Sequence, residues 1–227
     1  MELETSISDN FLKLFSKEIE CDIKDTNSKL NLHVLKIENN QFCYSELIEN
    51  LRNHFISFSL SRKEIADFVK DKRYGELYER AASKFRDYNV NEGEAGELLL
   101  FCFLEAHLKA PKILTKLEIK LSSKDYAKGS DGIHLLKVSN KNYQLIFGES
   151  KLEQKLTTSI SNAFSSIHDF ITRSKNNIKD EIGLINSQLG KEAFDEDLYQ
   201  FLKSVIVPSA NEATPIIKNN AFAIFAG

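Results

Sequence analysis

Asp131 stands eighteen residues ahead of the triplet Glu149-Ser150-Lys151, and a hairpin pattern lies between them. Two carboxylates and one lysine at the end of a strand pair suit metal-dependent phosphodiester cleavage. Carboxylate oxygens hold a hard divalent cation, and the lysine positions the attacking water or helps to deprotonate it. The stretch SDGIHLLKV (130–138) alternates polar and apolar residues, Ser139-Asn140-Lys141-Asn142 is a polar turn, and YQLIF (143–147) is rich in aromatic and branched residues. Two strand patterns around a short polar turn predict an antiparallel hairpin. Glu149 and Lys151 then point to one face, about 6–7 Å apart along the strand. Asp131 enters the first strand as Glu149 leaves the second, so one ion can bridge both carboxylates.

Glu-x-Lys by itself carries no signal. It recurs as Glu118-Ile119-Lys120 and Glu153-Gln154-Lys155, which read as a solvated strand edge or helix face. The Glu149 triplet differs in ending an apolar strand, following Gly148 and having an Asp at the matching end of its neighbour. The bland reading of that triplet is a hairpin with exposed charges at its open end.

The elements around these residues have an order. Asn91 to His107 reads as a helix, followed by strands near 116–121, 131–138 and 143–149. A long helical segment runs from about Thr157 to Gln188, broken near Gly183, and Ala221 to Phe225 (AFAIF) forms a final strand. Within the first helix Glu94 and Glu97 are three residues apart and lie near one face. Glu97 leads into the stripe Leu100, Phe101 and Leu104, which places it at the helix's inner edge. Glu94 is the alternative, or it simply meets the positive end of the helix dipole.

Glu97, Asp131 and Glu149-x-Lys151, set on helix, three strands, helix and strand, resemble the PD-(D/E)xK nuclease superfamily over roughly residues 90–227. Ser130 stands where that family's signature proline would be. The segments Gly93-Glu94-Ala95-Gly96-Glu97 with LLLFCFLE, Gly129-Ser130-Asp131-Gly132-Ile133-His134, and Phe147-Gly148-Glu149-Ser150-Lys151 resemble, more narrowly, the nuclease subunits of the Hachiman anti-phage defence system. The resemblance implies a restriction-endonuclease-like α/β core, a central mixed sheet flanked by helices, and a DNA nuclease that works with a helicase subunit. It implies that Asp131, Glu149 and the Ser150 carbonyl hold Mg2+, or Mn2+ in its place. Glu97 then orients a bound water, and Lys151 acts as base or charge holder. A lysine beside a bound cation has its pKa lowered, which favours the base role.

Composition sets the remaining bounds. The chain has 227 residues, 28% charged and 42% hydrophobic, ordinary for a globular protein. Cys21, Cys43 and Cys102 lack metal-site spacing and suggest neither zinc nor a disulfide framework. The acidic start MELETSISDN is no signal peptide, and the run from Leu98 to Leu104 is far short of a membrane span, so the expected setting is cytoplasmic. Net charge is −3, yet residues 109–155 hold ten lysines against five acids, leaving the remainder of the chain eight charges negative. Such a basic excess around the site suits a phosphate backbone. Residues 1–88 read as a mixed α/β region that packs on the core or docks a partner, with a soft boundary near 87–91 before the nuclease core of 89–227. A strand at LNLHVLKI (30–37), helices over 42–55 and 74–85, and a capping box at Ser61-Arg62-Lys63-Glu64 are expected there.

In the later helix Ala163, Ile167, Phe170 and Ile171 form a core stripe, and Ser159 and Asn162 are small polar residues that could face the site. His134 follows Asp131 by three residues, lies on the opposite strand face and reads as a packed or hydrogen-bonded histidine. The chain stops just after an apolar strand, so more of the sheet is expected to follow. Two other functions fit the same residues. One is a catalytically silent nucleic-acid-binding or scaffold module, and the other is a free-standing restriction-type nuclease.

Overall fold

The computed structural model describes residues 3–85, 93–119, 129–172, 177–193, 195–207 and 216–227. In chain order the elements are a 3-10 turn (Phe11–Leu14), β1 (Phe15–Asp22), β2 (Lys29–Leu35), β3 (Ile37–Glu38), β4 (Gln41–Phe42), α1 (Tyr44–Ser59), α2 (Arg62–Lys70) and α3 (Tyr74–Ala82). There follow α4 (Gly93–Ala106), β5 (Lys112–Thr115), α5 (Lys116–Ile119), β6 (Gly132–Ser139), β7 (Asn142–Lys151), α6 (Leu156–Thr172), α7 (Asn177–Glu192), α8 (Glu196–Ile206) and β8 (Ile217–Ala226). The architecture is mixed α/β.

The hairpin forms as its pattern predicts. β6 and β7 pair antiparallel, with Leu135 opposite Leu145 and Gly132 opposite Gly148. Lys141 takes a positive φ of 65° in the turn, where a polar loop residue meets little resistance. β5 adds antiparallel to β6, and β8 adds parallel to β7, giving the mixed order β5-β6-β7-β8. A parallel partner needs a crossover, and α6, α7 and α8 supply it.

Strand alternation divides the core between the two faces of this sheet. Ile133, Leu135, Tyr143, Leu145 and Phe147 pack with Ile185 and Leu189 of α7 and with Leu198, Leu202 and Val205 of α8. Ile146 turns the other way, to Leu100 and Leu104 of α4. The outer face of α4 buries Leu98, Phe101 and Cys102 against Ile7, Phe11 and Phe58 of the N-terminal region. That region begins with β1 paired to β2, and sequence reading finds β2 but misses β1. Of the expected capping box the Ser61 half forms: Ser61 Oγ accepts from the Glu64 N–H at 3.3 Å and opens α2, while the Glu64 carboxylate accepts from Arg80 instead.

Three expectations are corrected. The strand expected at 116–121 lies earlier, at Lys112–Thr115, and Lys116–Ile119 is a helical turn. Thr115 ends the strand because its Oγ1 accepts from the Glu118 N–H at 3.2 Å and donates to the Phe58 carbonyl at 2.7 Å. Lys116 then sends its own N–H to the Asp131 carbonyl at 3.0 Å, and the chain turns. Gly183 does not break the helical segment but lies inside α7 (Asn177–Glu192), and residues 173–176 lie outside the described residues. A single glycine in a helix costs only about 1 kcal/mol, too little to end it. Ile171 is 49% exposed and stands outside the core stripe, whereas Ala163 is buried and Phe170 stacks near Phe147 and Phe222. The soft boundary at 87–91 and Lys120, Lys124 and Lys128 lie outside the described residues.

Candidate active site

The end of the hairpin carries the candidate site. Asp131 directly precedes β6, and its N–H donates to the Gly148 carbonyl at 2.9 Å. Asp131 thus lies one residue before the last regular pair, Gly132 with Gly148, at the hairpin end that also carries Glu149. Ser150 locks this arrangement. Its N–H donates to Asp131 Oδ2 at 2.8 Å and its hydroxyl donates to the same oxygen at 3.1 Å. Asp131 is 6% exposed and Ser150 7%.

Two glycines let these parts approach. A Cβ on Gly148 would come 2.8 Å from Leu100 Cδ2, and one on Gly96 would come 3.1 Å from Leu152 and 3.3 Å from Ser150 Oγ. The missing side chain at Gly96 therefore brings α4, with Glu94 and Glu97, directly against Ser150. Both glutamates are buried. Glu97 Oε1 lies 4.0 Å from Lys116 Nζ, and the same ammonium donates to Asp131 Oδ1 at 3.2 Å. Glu97 and Asp131 thus meet through one lysine.

Glu149 and Lys151 share a strand face, and Lys151 Nζ stands 2.7 Å from Glu149 Oε1. Burial pulls the Lys151 pKa down, but the hydrogen bond and charge of Glu149, helped by Asp131, outweigh it and hold the pKa above the ordinary lysine value. The lowering expected beside a bound cation concerns a site that holds one.

The donor set fits a hard dication. Glu149 and Asp131 supply carboxylate oxygens at the same end of the hairpin. The Ser150 N–H faces Asp131, while the Lys151 carbonyl accepts from Gly227 on the β8 side at 3.0 Å. Backbone groups alternate sides along a strand, so the Ser150 carbonyl is directed toward Asp131. Among the described residues no group of three or more His, Cys, Asp or Glu side chains forms a metal cage. Two carboxylates and a carbonyl suit Mg2+, which keeps several waters and uses few protein ligands.

The other candidates fall elsewhere. Ser159 Oγ donates to the Gly227 carbonyl at 2.9 Å and fastens α6 to the end of β8. Asn162 donates to Glu153 Oε1 at 2.7 Å on the surface. Neither joins the carboxylates. His134 is fully buried, with Nδ1 2.8 Å from the Ala110 carbonyl, as a packed histidine should be. Burial drives its pKa to about 3 against the pull of that carbonyl.

Sequence reading misses Lys116, which it counts only as one lysine of the basic run. No spacing rule links it to Asp131, fifteen residues on. The basic run is also partly consumed internally. Lys109 pairs with Asp9, Lys112 with Glu118, Lys116 with Asp131 and Lys151 with Glu149.

The family model described as HamA matches residues 9–227, nearly the whole chain. No curated protein and no solved structure matches the chain significantly. The chain belongs to the HamA family, and with it to the Hachiman anti-phage defence system.

Proposed function

We propose that this HamA-family chain is the nuclease effector of its defence system, a Mg2+-dependent deoxyribonuclease on a restriction-endonuclease-like core that works with a helicase subunit. The observation that carries this reading is the gathering of Asp131 and Glu149 at one hairpin end, with Lys151 bound to Glu149 and Glu97 tied to Asp131 through Lys116. A mixed four-stranded sheet with α4 on one face and α7 and α8 on the other is consistent with such a core.

Asp131, Glu149 and the Ser150 carbonyl would hold Mg2+, and Mn2+ suits the same oxygens. When bound, the ion supplies positive charge to the scissile phosphate and acidifies water at neutral pH. Ser150 fixes the Asp131 carboxylate through two hydrogen bonds, so no reorientation is needed at the moment of reaction. Glu97, 9% exposed on α4, accepts a proton-bearing water and orients it. Lys151 is held as an ammonium by Glu149, and it donates to a phosphate oxygen as negative charge develops there. This assigns it charge stabilisation before base catalysis.

Partner binding has a surface in the N-terminal hairpin, where Ile19, Ile23, Leu30 and Leu32 are each more than a third exposed. Exposed apolar clusters of this kind mark protein contacts.

A silent binding module is the rival reading, favoured by the lysine already seated on each carboxylate. Cleavage of supercoiled plasmid separates the two, run with Mg2+ or EDTA, with and without the helicase subunit. Mg2+-dependent nicking supports the nuclease. Retained DNA binding with no nicking in any mixture supports the silent module.

A further inference from the structure

The Lys116 ammonium lies between the two carboxylates that come from different elements, Glu97 on α4 and Asp131 before β6. Its backbone is anchored too, since the Lys116 N–H donates to the Asp131 carbonyl at 3.0 Å. The backbone bond fixes where the lysine stem leaves the chain relative to Asp131. The two Asp131 oxygens have different company. Oδ2 takes both donors of Ser150, while Oδ1 takes Lys116. Side-chain exposure of Lys116 is 16%, so the group is partly buried, and its ammonium sits on a flexible four-carbon stem.

We propose that Lys116 is a built-in counter-cation: it holds Glu97 and Asp131 together in the ion-free protein and must yield Asp131 Oδ1 to an incoming divalent cation, so it sets how tightly that cation binds. This rests on the metal-dependent reading above. The physical cause is competition between like charges. A unit positive charge within about 4 Å of a ligand oxygen opposes a second cation there, and partial burial keeps the opposition from being screened away. Asp131 stays oriented by Ser150 whichever cation it faces. Lys116 acts through Asp131 and Glu97 and is thus a positioning residue.

The test is calorimetric titration of Mn2+ into the full chain without DNA, together with the rise in Tm that the ion produces. Lys116→Met keeps the length of the side chain and removes its charge, and it is expected to bind Mn2+ about tenfold more tightly than wild type. Lys116→Arg keeps the charge and should stay near the wild-type affinity. A residue with only a structural role would weaken ion binding when replaced, and no such loss would be rescued by Arg. Unchanged or weaker binding in Lys116→Met, with binding abolished in Glu149→Ala, overturns the proposal and leaves the metal site standing. Absence of Mn2+ binding in wild type and every variant overturns the metal reading and this proposal with it. If Lys116→Met fails to give a folded circular dichroism spectrum, Lys116→Gln takes its place with the same expectations.

Discussion

Ser150 gives Asp131 Oδ2 two hydrogen bonds, one from its backbone N–H at 2.8 Å and one from its hydroxyl at 3.1 Å. The residue between Glu149 and Lys151 thus aims the Asp131 carboxylate at the same hairpin end. Ser150→Ala removes the hydroxyl and leaves the N–H. It should lower stability by about 0.5–1.5 kcal/mol in urea denaturation, the net value of one hydrogen bond. Cleavage should fall about tenfold while the protein stays folded. A loss equal to that of Asp131→Ala would mean that the hydroxyl does more than aim Asp131.

Arg62 ties the N-terminal region to the core. Its guanidinium pairs with Glu192 at the end of α7, donates to the Lys112 carbonyl at 2.7 Å and lies 3.9 Å from Glu105. Glu105 in turn accepts from the N–H groups of Ile7 at 3.2 Å and Lys112 at 2.9 Å. Burial pushes both glutamates above the ordinary carboxylate pKa, and the surrounding donors and cations pull them back. Arg62→Ala leaves two buried carboxylates without their guanidinium and should cost about 3–5 kcal/mol. Chemical denaturation at pH 8 measures it, and a change under 1 kcal/mol would show that the cluster relaxes into water.

His134 makes stability depend on pH. Its folded pKa of about 3 lies below the ordinary 6.5, so the unfolded chain binds a proton that the folded ring refuses. The contribution is complete above pH 6.5 and is lost as pH falls toward 3. Between those limits the slope from this residue is about 1.4 kcal/mol per pH unit. Glu105 and Glu192 act in the opposite sense, because their raised pKa values favour the folded state as pH falls. Comparison of wild type with His134→Gln isolates the histidine. Urea midpoints at pH 7, 6 and 5 should fall more steeply in wild type, and equal slopes would contradict the buried neutral ring.

Two glycines predict opposite outcomes. Gly148→Ala would place a Cβ 2.8 Å from Leu100 Cδ2 and 3.3 Å from the Gly132 carbonyl. It should cost about 1–3 kcal/mol, the usual range for overpacking, and disturb the carboxylates at the hairpin end. Gly183→Ala meets nothing within 4 Å inside α7 and should stabilise by up to about 1 kcal/mol. Thermal melts of the two variants should move in opposite directions.

Local patterns served the sequence reading where local forces decide. The β6–β7 hairpin, the Ser61 cap and the inward glutamates of α4 follow from alternation, turn chemistry and helical spacing. Long-range bonds decided the rest. Lys116–Ile119 has the alternation of a strand, yet Thr115 caps it and the Lys116 N–H finds the carbonyl of Asp131, fifteen residues on. Once that strand moved to Lys112–Thr115, Lys116 fell beside the carboxylates, which no spacing rule foresees. β1 escaped because FSKEIECD is mostly exposed and takes its order from pairing with β2.

Mg2+-dependent nicking of supercoiled plasmid, in wild type beside folded Glu149→Ala and Lys151→Ala with the helicase subunit present, tests the central claim most directly. The account predicts nicking by wild type that EDTA stops and that both variants lose by at least about a hundredfold, as expected when a ligand or charge-stabilising group is removed. Nicking by either variant at the wild-type rate would contradict it.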